Sequence, residues 1–284
     1  MQKNGFNLIR QYRTGFSMIE LIFVIVILGI VSSIGSEVIA KVYENYIVQR
    51  AEHRASVKTQ LVINQIVNRL RYAVPGTIVR RVTIGGAAEP VSNNTSGGDY
   101  AVLQWVARDG DSFEAITSDS DRNPGWSGFC DIDNSTKTTI STPGSNLGLA
   151  NTIIGNLSNG TKGINDALVY FAWDNLNDSH PISSASGETI TLTDNNASHI
   201  VERYYLAWTS YALVIEGNDL YLYYNFSPAY ATAIASNPTK SLLLKNVTNF
   251  KFTGQGQTTR LKVCIDQNIS ETMTIPSCKE KAVF

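Results

Sequence analysis

The sequence predicts an α+β fold, in which one long amino-terminal helix precedes an antiparallel β-sheet. Three observations support this prediction: an apolar run near the amino terminus, a helical periodicity that continues beyond that run, and a series of β-forming segments after Gly76. A chain of 284 residues, of which 17% are charged, is long enough for a membrane-spanning helix and one sizeable domain.

The apolar run is the first element. From Phe16 to Ser36 the only charged residue is Glu20. A helix of this length spans about 31 Å, which matches the thickness of one bilayer. A carboxylate in such a segment costs on the order of 2.5 to 3.5 kcal/mol on insertion scales. We therefore expect Glu20 to pair with a counter-charge.

The helix is predicted to continue from the membrane to about Ala73. Pro75 and Gly76 end it, because proline lacks the amide donor and glycine readily adopts left-handed angles. One face of the segment after Lys41 carries an apolar stripe that can pack on a sheet. The stripe consists of Tyr43, Ile47, Ala51, Ala55, Val62, Ile66, Leu70 and Ala73.

The remainder of the chain is predicted to be β-rich with large loop insertions. Gly217 and Asn218 separate two β-forming runs and predict a tight hairpin turn. The stretches 85–166 and 225–240 are dense in small polar residues, and we expect loops there, the first around one or two short strands. The predicted strands are 77–84, 100–107, 167–173, 188–193, 200–207, 212–216, 219–225, 241–252 and 259–265.

Gly15, Phe16 and Glu20, after a short basic leader and before an apolar helix, resemble the cleavage and methylation site of type IV prepilins and type II secretion pseudopilins. The resemblance implies that a membrane peptidase cuts between Gly15 and Phe16 and then methylates the new amino group of Phe16. It also implies that Glu20 pairs with the amino terminus of a neighbouring subunit during assembly. Family members often carry a kinking proline where this chain has Glu37. This chain instead has weak helix formers, none of which breaks a helix: Gly29, Ser32, Ser33 and Gly35.

The resemblance covers residues 1 to about 40 in detail and implies three regions. These are a cytoplasmic leader at 1–15, the membrane and assembly half of the helix at 16–40, and a pilin-like globular domain at 41–284 in the periplasm or at the cell surface. Segments 54–73 and 241–252 are loosely similar to the larger minor pilins and to J-type minor pseudopilins.

The resemblance also implies the partners and the location of the chain. The partners are other pilin or pseudopilin subunits, the prepilin peptidase, an inner-membrane assembly platform and the lipid bilayer. The leader carries Lys3, Arg10 and Arg13 and no acid, and it should stay cytoplasmic while the remainder crosses the inner membrane once. A conventional signal peptide, cleaved near the small residues 32–35, is the alternative, but it leaves Glu20 unexplained.

The sequence contains no pattern typical of an enzyme active site. His53, His180 and His199 are scattered, without the spacing of metal ligands. The basic pair Arg80 and Arg81 is isolated, which argues against a nucleic-acid partner. No cofactor is expected, except that two Asp-x-Asp pairs, Asp109 with Asp111 and Asp119 with Asp121, leave calcium open beside the simpler interpretation of turn aspartates.

Three cysteines and two sequons complete the candidate sites. Cys264 and Cys278 lie close together near the carboxyl end, and an oxidising compartment favours a disulfide between them. Two free thiols, or a link from Cys130 to either partner, are the alternatives. Asn196 and Asn268 lie in acid-extended sequons that resemble acceptors of bacterial glycosylation systems.

Three functions are therefore weighed. The first is a structural subunit, a minor pilin or pseudopilin of a type IV pilus, a type II secretion system or a competence pseudopilus. The second is a binding or adhesion module at the tip of such a fibre. The third, a membrane-tethered exported enzyme, is disfavoured by the missing active-site pattern.

Overall fold

The computed structural model describes residues 15–93, 99–173, 175, 178–194, 200–234, 239–270 and 273–284. The chain divides into two compact units, Met1–Ala51 and Glu52–Phe284. Helix α1, Met18–Leu70, contributes residues to both units. The three basic residues of the leader lie outside the described residues. The predicted boundary between the membrane half of the helix, 16–40, and the globular domain, 41–284, stays a prediction.

In the first unit, α1 forms without interruption through Gly29, Ser32, Ser33 and Gly35. This agrees with the expectation that these weak helix formers do not break the helix. Its apolar side chains are exposed along the whole segment before residue 48. In the described part of the chain, α1 is the one helix long and apolar enough to cross a membrane.

The second unit contains the remaining elements. Two short helices, α2 (Gly110–Glu114) and α3 (Leu147–Leu157), accompany a 3-10 turn at Ile164–Asp166. The strands are β1 (Val79–Arg81), β2 (Glu89–Pro90), β3 (Val102–Ala107), β4 (Thr139–Ser141), β5 (Leu168–Phe171), β6 (His180–Ser186), β7 (Thr189–Leu192), β8 (Tyr204–Ala207), β9 (Thr209–Glu216), β10 (Asp219–Phe226), β11 (Thr239–Leu244), β12 (Val247–Gln255), β13 (Thr258–Asn268) and β14 (Thr274–Val283).

The main sheet has six antiparallel strands in the order β11-β10-β9-β3-β1-β2. The second half of α1 packs in one core with this sheet, and Ala55, Val62, Ile66 and Leu70 are buried there together with Trp105 and other sheet residues. The predicted apolar stripe is thus confirmed from Ala55 to Leu70. Tyr43 and Ile47, at its start, belong to the first unit and are exposed.

A second, three-stranded sheet, β12-β13-β14, contributes to the same core. The single strand predicted at 241–252 is wrong, since β11 and β12 divide it between the two sheets. The chain turns between them at Asn246, which has a φ of 56°. The amine of Lys281 on β14 donates a hydrogen bond to Oδ1 of Asn64 on α1, at 2.9 Å.

The insertion between β3 and β9 is the main correction to the sequence analysis. The stretch 85–166, where loops were expected around one or two short strands, contains α2, α3 and β4. β4 belongs to a five-stranded sheet in the order β4-β7-β6-β5-β8, in which β5, β7 and β8 confirm the strands predicted at 167–173, 188–193 and 200–207. This insertion has its own buried core, which includes Trp126, Ile140, Leu147, Ile154 and Leu206. The core was missed because its apolar residues stand singly or in short runs among glycine, serine and asparagine.

The hairpin predicted at Gly217 and Asn218 is confirmed. Glu216 of β9 pairs with Asp219 of β10, and Gly217 has a φ of 61°, which glycine adopts without steric cost. The loop that follows β10 is tethered to the sheets in its described part. Arg81 donates to the carbonyl oxygens of Ala231 and Thr232 at 2.6 and 2.8 Å.

Candidate functional site

The amino-terminal end of α1 is built by Ser17. Its hydroxyl oxygen accepts a hydrogen bond from the amide of Glu20 at 3.3 Å, and its carbonyl oxygen accepts one from the amide of Leu21 at 3.2 Å. Ser17 and Glu20 have the S-x-x-E spacing of a capping box, so this serine fixes the first helical turn. The sequence analysis did not use Ser17, although that spacing was a visible signal.

Gly15 lies just before this cap and has no steric role in the described chain. A Cβ atom built on Gly15 would meet no other atom within 4 Å, and the residue does not adopt a positive φ. A larger residue would therefore fit there.

Glu20 lies in the first turn of α1, where the helix dipole favours a negative charge. Within the described ranges it forms no ion pair, and its neighbours Ile19 and Leu21 are exposed. Phe16, four residues earlier, is 77% exposed. The structure thus places the predicted cleavage site and the lone carboxylate about one helical turn apart on an uncovered apolar surface.

The other titratable candidates do not form one site. His53 is exposed on α1, whereas His180 is buried on β6, with Nδ1 at 3.3 Å from Oδ1 of Asp194 and its ring against Phe171. His199 lies outside the described residues. Among the residues that are described, no group of three or more His, Cys, Asp or Glu side chains could hold a metal ion.

The two Asp-x-Asp pairs have local structural contacts. Asp109 is the N-cap of α2, where its Oδ1 accepts a hydrogen bond from the amide of Ser112 at 3.1 Å. Oδ1 of Asp121 accepts one from the amide of Asn123 at 3.3 Å. Asp111 and Asp119 are exposed. These contacts match the interpretation of turn and cap aspartates, and calcium stays an untested prediction.

Asp109 has a perturbed acidity. Its side chain is buried, and burial raises the pKa of the carboxyl group to about 6. The hydrogen bonds from Ser112 offset part of this rise. Because desolvation disfavours the charged form, the carboxylate is a source of instability at neutral pH.

The predicted disulfide is confirmed. Cys264 on β13 lies directly opposite Cys278 on β14, and the two sulfur atoms are bonded. Cys130 is a free, buried thiol in the core of the insertion, close to the hydroxyl of Ser135 at 3.5 Å. The alternatives of two free thiols at 264 and 278, or of a Cys130 link to either, are thereby excluded.

Of the two glycosylation candidates, Asn268 lies in the described part of the chain. Asn268 is exposed and lies at the end of β13, next to the turn that leads to β14. An acceptor asparagine requires this accessibility. Asn196 lies outside the described residues. Modification of either residue stays a prediction.

Comparison with family models matches residues 10–36 to the prokaryotic N-terminal methylation motif. The matched segment contains Gly15, Phe16, Ser17 and Glu20, which are the residues at the start of α1. No curated protein and no solved structure matches the chain in the corresponding comparisons. The motif, and the long apolar helix followed by antiparallel sheets, are features that this chain shares with type IV pilin-like proteins.

Proposed function

We propose that this chain is a structural subunit, a minor pilin or pseudopilin, that is anchored in the inner membrane and assembled through its amino-terminal helix. The observation that carries the proposal is Glu20. It is the one charge in an exposed apolar helical segment that matches the methylation motif, and it has no ion-pair partner in the described part of the chain.

Cleavage before Phe16 would supply the missing partner. It creates an amino group, which carries a positive charge, at the end of the same kind of helix in every subunit. Opposite charges attract far more strongly in a medium of low dielectric constant than in water. A pair between Glu20 and the amino group of a neighbouring subunit would therefore set one axial register between helices that are otherwise held by non-directional apolar contacts.

The proposed membrane topology follows from the positive charges of the leader and from the disulfide. The basic leader stays in the cytoplasm, α1 crosses the inner membrane once, and the second unit faces the periplasm or the cell surface. The bonded pair Cys264 and Cys278 fits an oxidising compartment. A structural role requires no cofactor, and the pilin-like motif belongs to structural proteins.

The folded insertion favours a minor rather than a major subunit. Its five-stranded sheet and separate core enlarge the second unit well beyond the helix and the main sheet. Such a bulky domain would crowd the surface of a fibre in which every subunit carried it. The same insertion favours, as a second candidate, a binding or adhesion module at the tip of the fibre.

The experiment that tests the proposed function is the mass of the mature chain. We expect expression with an active prepilin peptidase to give a protein that begins at an N-methylated Phe16. Deletion of the peptidase should leave the leader in place. A new amino terminus between residues 32 and 40 would instead indicate conventional signal cleavage and would contradict the proposal.

A further inference from the structure

The main sheet ends at β2 on one side and at β11 on the other, and these two edge strands differ in how well they are protected. β2 has two residues, of which one is Pro90, so it offers an incoming strand little to pair with. β11 has six residues and no proline. Among the described strands it pairs with β10 alone, so the amide and carbonyl groups on its outer side have no strand partner there.

The edge of β11 is also exposed and partly apolar. Its first four residues are exposed, and they include Leu242, which is 40% exposed. An exposed apolar edge strand is a template for pairing with another chain, and folded proteins usually avoid one. The edge of β11 therefore has the properties of a docking site for an extended segment.

An apolar cleft of about 380 Å³ opens beside this edge, between the last turns of α1 and the β9–β11 part of the main sheet. Four leucines, two tyrosines and Trp208 line it, whereas the charged lining residues Arg69 and Asp111 are exposed at its rim. Leu242 and Leu243 of β11 belong to the lining, so the cleft reaches the edge strand. A strand added to β11 would place every second side chain on the face of the sheet that contains the cleft.

Two lysines flank the run 241–244 and select the partner. Lys240 precedes the run and pairs with Glu216 at 2.7 Å, and Lys245 follows it, exposed and without an ion pair among the described residues. If β11 of a second copy paired antiparallel with the two runs superimposed, Lys240 of each copy would lie opposite Lys245 of the other. Like charges directly opposite each other destabilise a sheet. A strand with acidic side chains at these two positions would meet opposite charges instead.

We propose that the edge of β11 binds an extended segment of another protein, which adds to the main sheet as a further strand. The segment has apolar side chains in its middle, which contact the leucines of the cleft, and an acidic side chain near each end. Main-chain hydrogen bonds provide affinity, and the cleft and the lysines provide specificity. The interaction goes beyond the proposed structural role, because the pairing of Glu20 with a neighbouring amino group does not involve the main sheet.

A capped synthetic peptide tests the proposal on the full processed chain in detergent micelles. Four alternating valine and threonine residues separate its two glutamates, which are then five positions apart, as Lys240 and Lys245 are. TROSY NMR of the backbone amides at 239–245 reports binding. We expect these amides to shift at millimolar peptide. Replacement of both glutamates by lysine should weaken binding by about tenfold, because two attractive cross-strand pairs become repulsive.

A second version of the peptide distinguishes strand addition from simple occupation of the cleft. It has every backbone amide N-methylated, so it keeps all the side chains but cannot donate a main-chain hydrogen bond to β11. We expect this version not to bind. Binding as tight as that of the unmethylated peptide would show that the edge strand is not the site.

Lys245→Glu tests the charge preference, and Lys137→Glu is its matched control. Both lysines are exposed and lie outside the strands, so both variants should remain folded. Lys245→Glu should weaken binding of the glutamate peptide by about threefold and strengthen binding of the lysine peptide, whereas Lys137→Glu should change neither. No shift of the amides at 239–245, equal binding of the glutamate and lysine peptides, or self-association of the chain through β11 in place of peptide binding would each overturn the proposal.

Discussion

The two halves of α1 differ in whether other parts of the chain cover their apolar side chains. In the first unit the helix exposes nearly every apolar side chain, whereas in the second unit one apolar face is buried against sheets and Val57 and Leu61 stay exposed on the other. Ile30 is 57% exposed and Ile66 is 1% exposed, although both lie in one unbroken helix. The second half is therefore stabilised by its own chain, and the first half requires a lipid or protein environment supplied from outside.

The largest expected effect comes from an experiment that separates the two halves of α1. A fragment that begins near Lys41 should fold as a soluble domain, because the cores that include Ile66 and Ile154 lie entirely in the second unit. Circular dichroism and a cooperative unfolding transition measure this. An insoluble or unfolded fragment would show that the first half is needed for more than anchoring.

The next effect concerns assembly. Glu20→Ala should leave membrane insertion and cleavage intact but reduce incorporation into the fibre or its initiating complex by about 100-fold or more, because it removes one partner of a charge pair in a medium of low dielectric constant. Cross-linking or purification of assembled complexes from the native system measures incorporation.

Glu37→Ala is the control for that variant. Glu37 is an exposed acid on the same helix and pairs with Lys41 of its own chain at 2.7 Å. Surface pairs of this kind contribute little, so this substitution should leave assembly nearly unchanged. If the Glu20 variant assembled as well as wild type, or if both variants failed equally, the proposed role of Glu20 would be wrong.

A matched pair of isoleucine substitutions compares the two halves directly. Ile66→Ala should lower the free energy of unfolding of the second unit by about 2 to 5 kcal/mol, since it leaves a cavity in the core. Ile30→Ala should change it by less than about 0.5 kcal/mol. Chemical denaturation of the full chain in detergent gives both values. Similar losses would contradict the difference between the halves.

The disulfide contributes a smaller, local effect. Cys264→Ser with Cys278→Ser should lower the free energy of unfolding by about 3 kcal/mol in the chain-entropy model. Denaturation with and without reductant measures this, and reductant should not affect the double variant. Cys130 should react with a thiol reagent only after unfolding, because it is buried. Rapid alkylation of Cys130 in the folded chain would contradict its placement.

The sequence predicted best where the physical signal was local and strong. The apolar run with Glu20, the helix end near Pro75 and the hairpin at Gly217 each depend on neighbouring residues, and all agree with the structure. The disulfide followed from two nearby cysteines and the expected compartment.

The sequence predicted least where long-range packing decides the fold. Within the insertion, α2, α3, β4 and β6 were not predicted, because its apolar residues pack together only across the sheet and against α3. A local signal for α3 did exist, since the Oδ1 atom of Asn146 caps it by accepting from the amide of Leu149 at 3.1 Å.

The smallest expected effect depends on pH and concerns Asp109, where β3 leads into the insertion. Its folded-state pKa, raised by burial to about 6, exceeds the ordinary value of about 3.9. The folded state therefore binds the proton more tightly than the unfolded state. The stability that this provides is complete below about pH 4 and is lost as the pH rises through about 6.

Asp109→Asn removes the buried charge while it keeps a residue type that caps helices well. We expect it to raise the free energy of unfolding by about 1 to 2 kcal/mol at pH 8, with the gain disappearing towards pH 4, because the neutral acid and the amide then carry similar desolvation costs. Urea denaturation across this pH range measures the difference. Asp121→Asn, at an exposed loop position, should show no such gain. A gain at Asp109 that was independent of pH would mean that burial of charge is not its cause.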